Sequence, residues 1–225
     1  VYARPVALQT DGKIVLAGTP WNLDSDFLVG RYNPDGSLDT GFGDNGTVVT
    51  DINGSSDDAY AIAIQPDGKI LVAGTSSVFN SDFAVVRYHP DGTPDNTFDF
   101  NGIAYTDING GNDGCYGLLR QADGKIVLVG YASNATKDFA LVRYKPDGSL
   151  DPDFDDDGKL TTDFAAGNDY AYSAAQQLDG KIVVAGYASG ATRDFALARF
   201  NPDGSLDGGF DTDGRQVLDF AGGDD

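Results

Sequence analysis

Short apolar stretches alternate with small polar turns along the whole chain. In residues 57–112, small and larger apolar side chains alternate between Tyr60 and Gln65, which is the period of two that half-buried β-strands give. Further strands are predicted over residues 69–74, 82–88 and 103–108, and no helical apolar stripe of useful length is present. The pattern therefore predicts four short strands in this segment.

The same pattern recurs every 56 residues. The sequence Asp-Gly-Lys-Ile begins at Asp11, Asp67, Asp123 and Asp179. A later Pro-Asp-Gly turn, in which Pro presets φ and Gly accepts a positive φ, keeps the same period. We therefore divide the chain into four repeats, approximately 1–56, 57–112, 113–168 and 169–225.

These repeats predict an all-β fold. Four antiparallel strands make one twisted sheet, which cannot bury both of its faces alone, so equal sheets must stack on each other. Stacking about an axis gives a four-bladed β-propeller with four strands per blade, as a single domain over residues 1–225. The first and last repeats are as apolar as the middle ones, which favours a closed ring over a capped linear stack. The alternative is an open fragment of a larger propeller, completed by other chains or by missing repeats.

Two segments carry a family resemblance, residues 121–154 and 177–210. Their pattern Gln-x-Asp-Gly-Lys-Ile-Val-x-x-Gly, then Asp-Phe-Ala-x-x-Arg-(Tyr/Phe)-x-Pro-Asp-Gly-Ser-Leu-Asp-x-x-Phe, resembles the bacterial delta-60 repeat, a β-propeller family of unknown function. The repeat is also similar to the YVTN and NHL propeller repeats, which implies that the strand ending in Pro-Asp-Gly or its equivalent is the innermost of its blade. The resemblance implies a secreted or surface-attached bacterial protein, and it transfers no catalytic residues.

Composition restricts the possible partners. The formal net charge of -20 disfavours nucleic acids and anionic membrane surfaces, and it favours cations and cationic partners. No apolar stretch is long enough for a membrane-spanning helix, so we expect no membrane insertion. Cys115 is the only cysteine, so no intrachain disulfide can form. The chain begins Val1-Tyr2 and has no methionine, which leads us to expect a processed or excised piece of a longer product.

Four equivalent aspartates form the first candidate metal site: Asp57, Asp113, Asp169 and Asp225. In the strand order that the resemblance implies, they stand at the loops that enter the inner strands, and four-fold stacking would gather them at the mouth of a channel. Oxygen-only ligands suit Ca²⁺ or Mg²⁺, and we expect Ca²⁺. The alternative is that each carboxylate only bonds the amides of its own turn.

A second candidate metal site is the run Asp153, Asp155 and Asp157 before a glycine, which resembles the first half of an EF-hand loop. The required downstream glutamate is absent, and Gly41 and Gly43 occupy two of the equivalent positions in the first repeat. A tight turn is therefore the competing interpretation.

A repeated arginine ends each third strand, and a repeated aspartate begins it, which predicts ion pairs within or between blades. The arginines are Arg31, Arg87, Arg143 and Arg199, and the aspartates are Asp26, Asp82, Asp138 and Asp194.

Bulky aromatic residues in polar loops predict a binding face. We assign Trp21, Phe79, Tyr131 and Tyr187 to it, in one shallow pocket with the four equivalent aspartates. The single histidine, His89, flanks a variable turn, and the sequence predicts no Ser-His-Asp triad and no Cys-His pair. The function we expect is a secreted or surface-attached, non-catalytic binding or scaffold module for a protein, glycan or small-molecule ligand. The alternative is a metal-dependent hydrolase of the lactonase or phosphotriesterase kind.

Overall fold

A computed structural model describes residues 2–20, 25–77, 79–164, 167–220 and 222–224, and these contain sixteen strands and no helix. The strands are β1 Tyr2–Leu8, β2 Ile14–Thr19, β3 Phe27–Tyr32, β4 Thr47–Thr50, β5 Ser56–Ile64, β6 Ile70–Ser77, β7 Ser81–Tyr88, β8 Ile103–Thr106, β9 Gly114–Arg120, β10 Ile126–Ser133, β11 Lys137–Tyr144, β12 Lys159–Thr162, β13 Tyr170–Gln176, β14 Ile182–Ser189, β15 Arg193–Phe200 and β16 Arg215–Leu218.

The strands form four antiparallel sheets, each with four strands in sequential order. We call them sheets 1 to 4: β1–β4, β5–β8, β9–β12 and β13–β16. Each is a meander in which every strand pairs with its neighbour in sequence. The all-β fold of four four-stranded sheets is confirmed, and four repeats of this kind fit a four-bladed β-propeller.

The chain also divides into two compact units. The first unit contains residues 1–106 and 147–149, and the second contains residues 107–146 and 150–225. Sheets 1 and 2 belong to the first unit and sheets 3 and 4 to the second.

The strands of sheet 2 differ from their predicted bounds at polar residues. β5 begins at Ser56 rather than at Tyr60, and β6 continues to Ser77 rather than ending at residue 74. The pairing of Ser56 with Ser77 and of Asp57 with Ser76 extends this hairpin beyond its apolar part. Hydrophobic periodicity could not detect these ladder bonds because they are made by the backbone of polar residues.

The turn at Pro66-Asp67-Gly68 has the predicted chemistry. Gly68 has a φ of 83°, and its amide donates to the Gln65 carbonyl at 2.9 Å. The Asp67 carboxylate accepts a hydrogen bond from the Lys69 amide at 3.2 Å. The side chain thus replaces a backbone acceptor inside the turn, and a residue with a Cβ would be strained at Gly68.

Within each unit, apolar side chains from two sheets form one core. In the first unit, β3 and β2 of sheet 1 face β5 and β6 of sheet 2, and the buried residues of this core include Ala17, Phe27, Val29, Ala59, Ile70 and Val72. In the second unit, sheets 3 and 4 meet in the same way, and the buried residues include Val129, Phe139, Leu141, Ala171, Ile182 and Val184. The second list is the first one moved by two repeats, so the sheet-to-sheet contact repeats with the sequence.

The repeated arginine forms ion pairs, but with a different aspartate from the predicted one. The Nε atoms of Arg31, Arg87, Arg143 and Arg199 lie 2.6 to 2.7 Å from Oδ2 of Asp39, Asp95, Asp151 and Asp207. The prediction had considered Asp26, Asp82, Asp138 and Asp194. Each of those residues stands five positions before the arginine of its own repeat, at or just before the start of the strand. That is about 16 Å away in an extended chain, so it cannot reach that arginine.

Each arginine lies in a small network that we call the arginine latch, here described for the second unit. Asp151 accepts from Arg143 and from Lys125 Nζ at 2.9 Å, and the Arg143 guanidinium lies 4.4 Å from the centre of the Phe154 ring. Arg143 also donates to the backbone carbonyl of Pro202 in the next sheet. The latch therefore joins one sheet to the Pro-Asp-Gly turn of its successor.

The described residues contain no helix long and apolar enough to cross a membrane.

We expect Arg143→Ala to lower the free energy of unfolding by about 3 kcal/mol, because it leaves the buried Asp151 without its closest partner. The measurement is chemical denaturation followed by circular dichroism. Arg215→Ala is the matched control, since Arg215 forms a partly exposed pair with Asp213 at 2.8 Å and such pairs contribute up to about 1 kcal/mol. Equal losses in both variants would contradict a special role for the latch.

Candidate functional site

Three of the four aspartates predicted as a metal site are fully buried. Asp57, Asp113 and Asp169 have no exposed surface, and Asp225 lies outside the described residues. Asp57 stands near the start of β5, while Asp113 and Asp169 each directly precede a first strand. Whether the four equivalent residues gather around one cation stays a prediction.

The carboxylate of Asp169 ties its own loop to the neighbouring hairpin. Its Oδ2 accepts from the Phe164 amide at 2.9 Å, and its Oδ1 accepts from the Ser189 amide at 3.1 Å. The Asp169 amide in turn donates to the Lys137 carbonyl at 2.6 Å. Asp169 thereby connects sheet 3 to sheet 4, since Phe164 and Lys137 belong to the repeat before it.

Asp57 does the same in the first unit. It accepts from the Ile52 amide at 2.7 Å and from Ser55 Oγ at 3.1 Å, and its amide donates to the Ser25 carbonyl. These are the turn bonds that the sequence offered as the alternative to metal binding. They satisfy part of each carboxylate, and a carboxylate has further lone pairs for another partner.

Asp57 and Asp169 each lie beside two other aspartates that come from the preceding repeat. Asp57 has carboxylate oxygens within 4.8 Å of those of Asp26 and Asp51. We call each set of this kind an acidic triad. The first unit contains the triad Asp26, Asp51 and Asp57, and the second contains Asp138, Asp163 and Asp169.

Burial, with the charge of neighbouring carboxylates added to it, disfavours the ionised forms of Asp57, Asp138 and Asp169. Burial, and then the charge of Asp26, raises the pKa of Asp57 to about 6. Burial also raises the pKa of Asp138 and of Asp169, with Asp163 adding to both. A triad therefore holds a proton more readily than separate aspartates, or it can hold a cation in place of the proton.

Sequence analysis missed Asp51 and Asp163 as members of these sets. The signal was present, because Asp51, Asp107, Asp163 and Asp219 keep the period of 56 residues. The period relates residues at one repeat position, whereas a triad combines residues from different positions that meet between sheets.

The second predicted metal site, Asp153, Asp155 and Asp157, is not among the carboxylate groups of this closeness in the described part of the chain. Asp155 has a φ of 49°, and Asp157 accepts from the Lys159 amide at 2.9 Å and lies 3.6 Å from Lys159 Nζ. The loop thus has the turn geometry that was its competing interpretation.

The predicted aromatic face is divided between the units. Trp21 lies outside the described residues, and Phe79 is almost fully exposed in the first unit. Tyr131 and Tyr187 both lie in the second unit, where Tyr170 contacts each of them at ring-centre distances of 4.9 and 5.0 Å.

Tyr131 and Tyr187 are part of a larger arrangement that sequence analysis did not foresee. Tyr116 contacts Tyr131 at 5.8 Å and Tyr172 at 5.2 Å, and Tyr172 contacts Tyr187 at 6.0 Å. Together with the two contacts of Tyr170, these pairs close into a cycle of five rings that we call the tyrosine cycle. The available signal was the concentration of tyrosine at strand positions of the last two repeats.

Two cations accompany the tyrosine cycle. Lys137 Nζ lies 4.2 Å from the centre of the Tyr131 ring and 5.1 Å from that of Tyr170, and the Arg193 guanidinium lies 5.6 Å from that of Tyr187. Although burial opposes its charge, contacts with Tyr170 and Tyr131 raise the pKa of Lys137. Burial and the neighbouring tyrosines raise the pKa of Tyr187 to about 12, so its hydroxyl stays protonated at neutral pH. The cycle therefore presents ring faces, a neutral hydroxyl and two positive charges in an otherwise acidic chain.

Fold and repeat together define a β-propeller protein. Residues 9–42, 65–98, 121–154 and 177–210 match the family described as "Domain of unknown function (DUF5122) beta-propeller", and these segments make up more than half of the chain. The chain therefore belongs to this family of bacterial propeller repeats. The delta-60 name remains a resemblance. No curated protein matches the chain.

Solved structures share the fold. A protein of unknown function from Dyadobacter fermentans DSM 18053 aligns with a TM-score of 0.58 at 15% identity, covering 90% of this chain and 66% of that chain. Virginiamycin B lyase from Staphylococcus aureus aligns with a TM-score of 0.51 at 11% identity, covering 98% of this chain and 56% of that chain. The α-L-arabinanase of Cellvibrio cellulosa, complexed with arabinohexaose, aligns with a TM-score of 0.52 at 14% identity, covering 90% and 75%. The chain thus spans less than two thirds of the first two structures, and such identities show the fold alone.

We expect the Asp57 carboxyl to titrate near pH 6 in cation-free buffer, as measured by carboxyl carbon NMR. A raised pKa means that the folded state holds the proton more tightly, so the contribution of Asp57 to stability is complete below about pH 4 and is lost as the pH rises through about 6. Asp57→Asn should remove this part of the pH dependence.

Asp58→Asn is the control, because Asp58 is the exposed neighbour of Asp57. A stability profile between pH 4 and 6 that is unchanged in Asp57→Asn would exclude the raised pKa.

Proposed function

We propose that the chain is a non-catalytic module, secreted or attached to the bacterial surface, that binds a glycan at the tyrosine cycle. The observation that carries this proposal is the cycle of five tyrosine rings with Lys137 and Arg193 beside it. Tyrosine combines an apolar face with a polar tip, and a sugar ring has the matching combination of apolar and hydroxyl surfaces.

The cations decide which glycans fit best. The net charge of -20 repels anionic ligands in general. Because salt screens charges beyond about 8 Å at physiological ionic strength, the positive charges beside the rings attract an anionic ligand only when it is close to them. Lys137 keeps its charge in this place, because its pKa is raised. We therefore propose a glycan that carries carboxylates, such as one containing uronic acid. The arabinohexaose bound by the similar arabinanase supports a sugar ligand only as an analogy of fold.

The binding experiment compares two oligosaccharides by titration calorimetry, a neutral arabinohexaose and an acidic oligogalacturonate of similar length. We expect the acidic sugar to bind more tightly, and Tyr131→Ala and Tyr187→Ala to weaken binding of both about two- to tenfold, since one ring contact contributes about 0.5–1.5 kcal/mol. Lys137→Ala should weaken only the acidic sugar.

Phe100→Ala is the control for these variants, since Phe100 is an exposed aromatic residue outside the tyrosine cycle. Equal weakening in Phe100→Ala, or binding that survives both tyrosine substitutions, would contradict glycan binding at the cycle.

We also propose that the acidic triads bind Ca²⁺. Their donors are carboxylate oxygens only, which is the ligand chemistry that Ca²⁺ prefers. The raised pKa values of Asp57, Asp138 and Asp169 support this, because a cation between the carboxylates would relieve their mutual repulsion.

In the described part of the chain, the same triads are the specific feature that favours the alternative function, a metal-dependent hydrolase. Asp163 is exposed and could face a substrate, whereas Asp169 is buried and bonded to two amides. A hydrolase could use a histidine as its general base. His89 lies beside Asp95 in the first unit, however, and so belongs to an arginine latch rather than to an acidic triad. Non-catalytic binding is therefore the function that we favour.

Calorimetric titration with Ca²⁺ tests the cation, and esterase and phosphotriesterase assays with and without EDTA test the hydrolase. We expect Ca²⁺ binding that Asp163→Asn weakens and Asp156→Asn does not, and no turnover in either assay. Turnover that EDTA abolishes would show that the protein is a hydrolase rather than a non-catalytic binding module. If no heat of binding is measured with Ca²⁺, the proposal that the triads bind this cation is wrong.

A further inference from the structure

An open cavity of about 440 Å³ lies between sheets 3 and 4, where their first strands β9 and β13 end. Its lining comes from the second unit alone, with Gln121, Asp123 and Lys125 from sheet 3 and Gln176 and Leu178 from sheet 4. The volume falls in the range of about 300–1,000 Å³ that small-molecule sites have. The cavity is therefore large enough for a small ligand.

The carboxamide of Gln121 is buried in the lining without a partner. Gln121 is only 3% exposed, and its Oε1 accepts no hydrogen bond from any described residue. Burial of a polar atom without a hydrogen bond opposes folding, so proteins seldom keep such an atom unless water or a ligand supplies the missing bond. The donor for Gln121 must therefore come from a molecule in the cavity.

The neighbouring donors in the lining are already engaged. Lys125 Nζ and Arg143 Nε lie 2.9 and 2.6 Å from the same Oδ2 atom of Asp151. On the other side of the cavity, Gln176 Oε1 accepts from the Ala122 amide at 3.1 Å. Each of these groups would have to give up a hydrogen bond to turn towards another partner.

The charges around the cavity balance each other. Lys125 and Arg143 share the carboxylate of Asp151, and Asp123 supplies a second carboxylate. An anionic group has only acceptors to offer to the Gln121 oxygen, and a cationic donor would meet the positive charges of Lys125 and Arg143. A neutral donor, such as a hydroxyl group, is the one that fits.

Two further residues favour a ligand with several hydroxyl groups. Asp123 accepts from the Lys125 amide at 3.1 Å, and a carboxylate has additional lone pairs for other donors. Leu178 lies in the lining and is fully exposed, so it offers an apolar surface. A polyhydroxyl molecule combines several donors with C–H groups that can cover such a surface.

The first unit does not repeat this arrangement completely. Gln9 is the counterpart of Gln121, and its Oε1 is also buried without a partner among the described residues. Ile64, however, occupies the position of Gln176 and has no polar group to accept from a turn amide. The polar wall that Gln176 forms is therefore specific to the second unit.

We propose that this cavity binds a small neutral polyhydroxyl molecule of about the size of a monosaccharide, with one ligand hydroxyl donating to Gln121 Oε1. Asp123 accepts from further hydroxyls, and Leu178 packs against C–H groups of the ligand. The site is separate from the tyrosine cycle, because Tyr131 pairs with Gly114 at the start of β9, about 20 Å along the strand from its other end. It does not depend on the proposed function, which assigns acidic glycans to the tyrosine cycle.

Nuclear magnetic resonance tests the site through the side-chain amide signal of Gln121, which is assigned by its disappearance in Gln121→Met. The probes are glucose, galactose and mannose, with glucuronate as the acidic counterpart of glucose. We expect at least one neutral sugar to shift the signal saturably, and glucuronate to bind at Gln121 at least threefold more weakly than glucose.

If no neutral sugar shifts the Gln121 signal, water alone is the partner of the carboxamide and the proposal is overturned. Tighter binding of glucuronate than of glucose at Gln121 would overturn the assignment to a neutral ligand.

The variant Gln121→Met separates binding from folding, because methionine has a similar shape and no amide. Binding is followed through the backbone amide of Leu178. We expect at least tenfold weaker binding, with unfolding at the same or a higher denaturant concentration, since the lost carboxamide oxygen has no partner in the described chain. Gln216→Met is the matched control, because Gln216 lies in β16 outside the cavity lining, and it should bind like the wild type.

Two results of this comparison would contradict the proposal. Unfolding of Gln121→Met at a clearly lower denaturant concentration would show that the carboxamide serves the fold itself. Unchanged binding in Gln121→Met would show that the carboxamide does not contact the ligand.

Tyr131→Ala distinguishes this cavity from the tyrosine cycle. We expect this variant to keep the sugar-induced shift at Leu178 with an unchanged dissociation constant, whether or not it weakens the binding of an acidic glycan. Loss of the shift at Leu178 in Tyr131→Ala would show that the two surfaces form one site, and it would overturn the proposal of a separate one.

Discussion

The structure depends on the burial of an apolar sheet face by the sheet that follows it. A four-stranded meander of this size has two apolar surfaces and too little chain to cover either. Within each unit the solution is the same: branched and aromatic side chains of β3 or β11 pack into the small and branched side chains of the next sheet. The turns, the ion pairs and the buried aspartates all serve this one contact.

The arginine latch adds directional polar bonds to a contact that is otherwise apolar. Arg143 is held by Asp151 within its own sheet and donates to a carbonyl of the next sheet, while its guanidinium covers Phe154. Burial opposes the charge of Asp151, yet Lys125 and Arg143 hold the pKa of that carboxyl below its usual value. Buried ion pairs of this kind contribute little net stability when compared with apolar packing, although removal of one partner is costly because it leaves a buried charge.

The sequence predicted the features that repeat and missed those that arise between repeats. Period-two patterning and the Pro-Asp-Gly turns were sufficient for the all-β sheets, because both are local properties of the chain. The predicted partner of Arg143 was wrong. Asp138 recurs with the same period as Arg143, but the extended strand holds the two side chains too far apart to pair. The acidic triads and the tyrosine cycle combine residues from different positions of successive repeats, such as Asp138 with Asp169 or Tyr131 with Tyr170. Their closeness is set by how one sheet lies on the next, which no single repeat encodes.

The latch also has an evolutionary consequence. Because the junctions within the two units use the same few side chains at the same intervals, duplication or loss of a pair of modules in the gene leaves such a junction chemically unchanged. A change in the number of modules by recombination therefore requires no new interface.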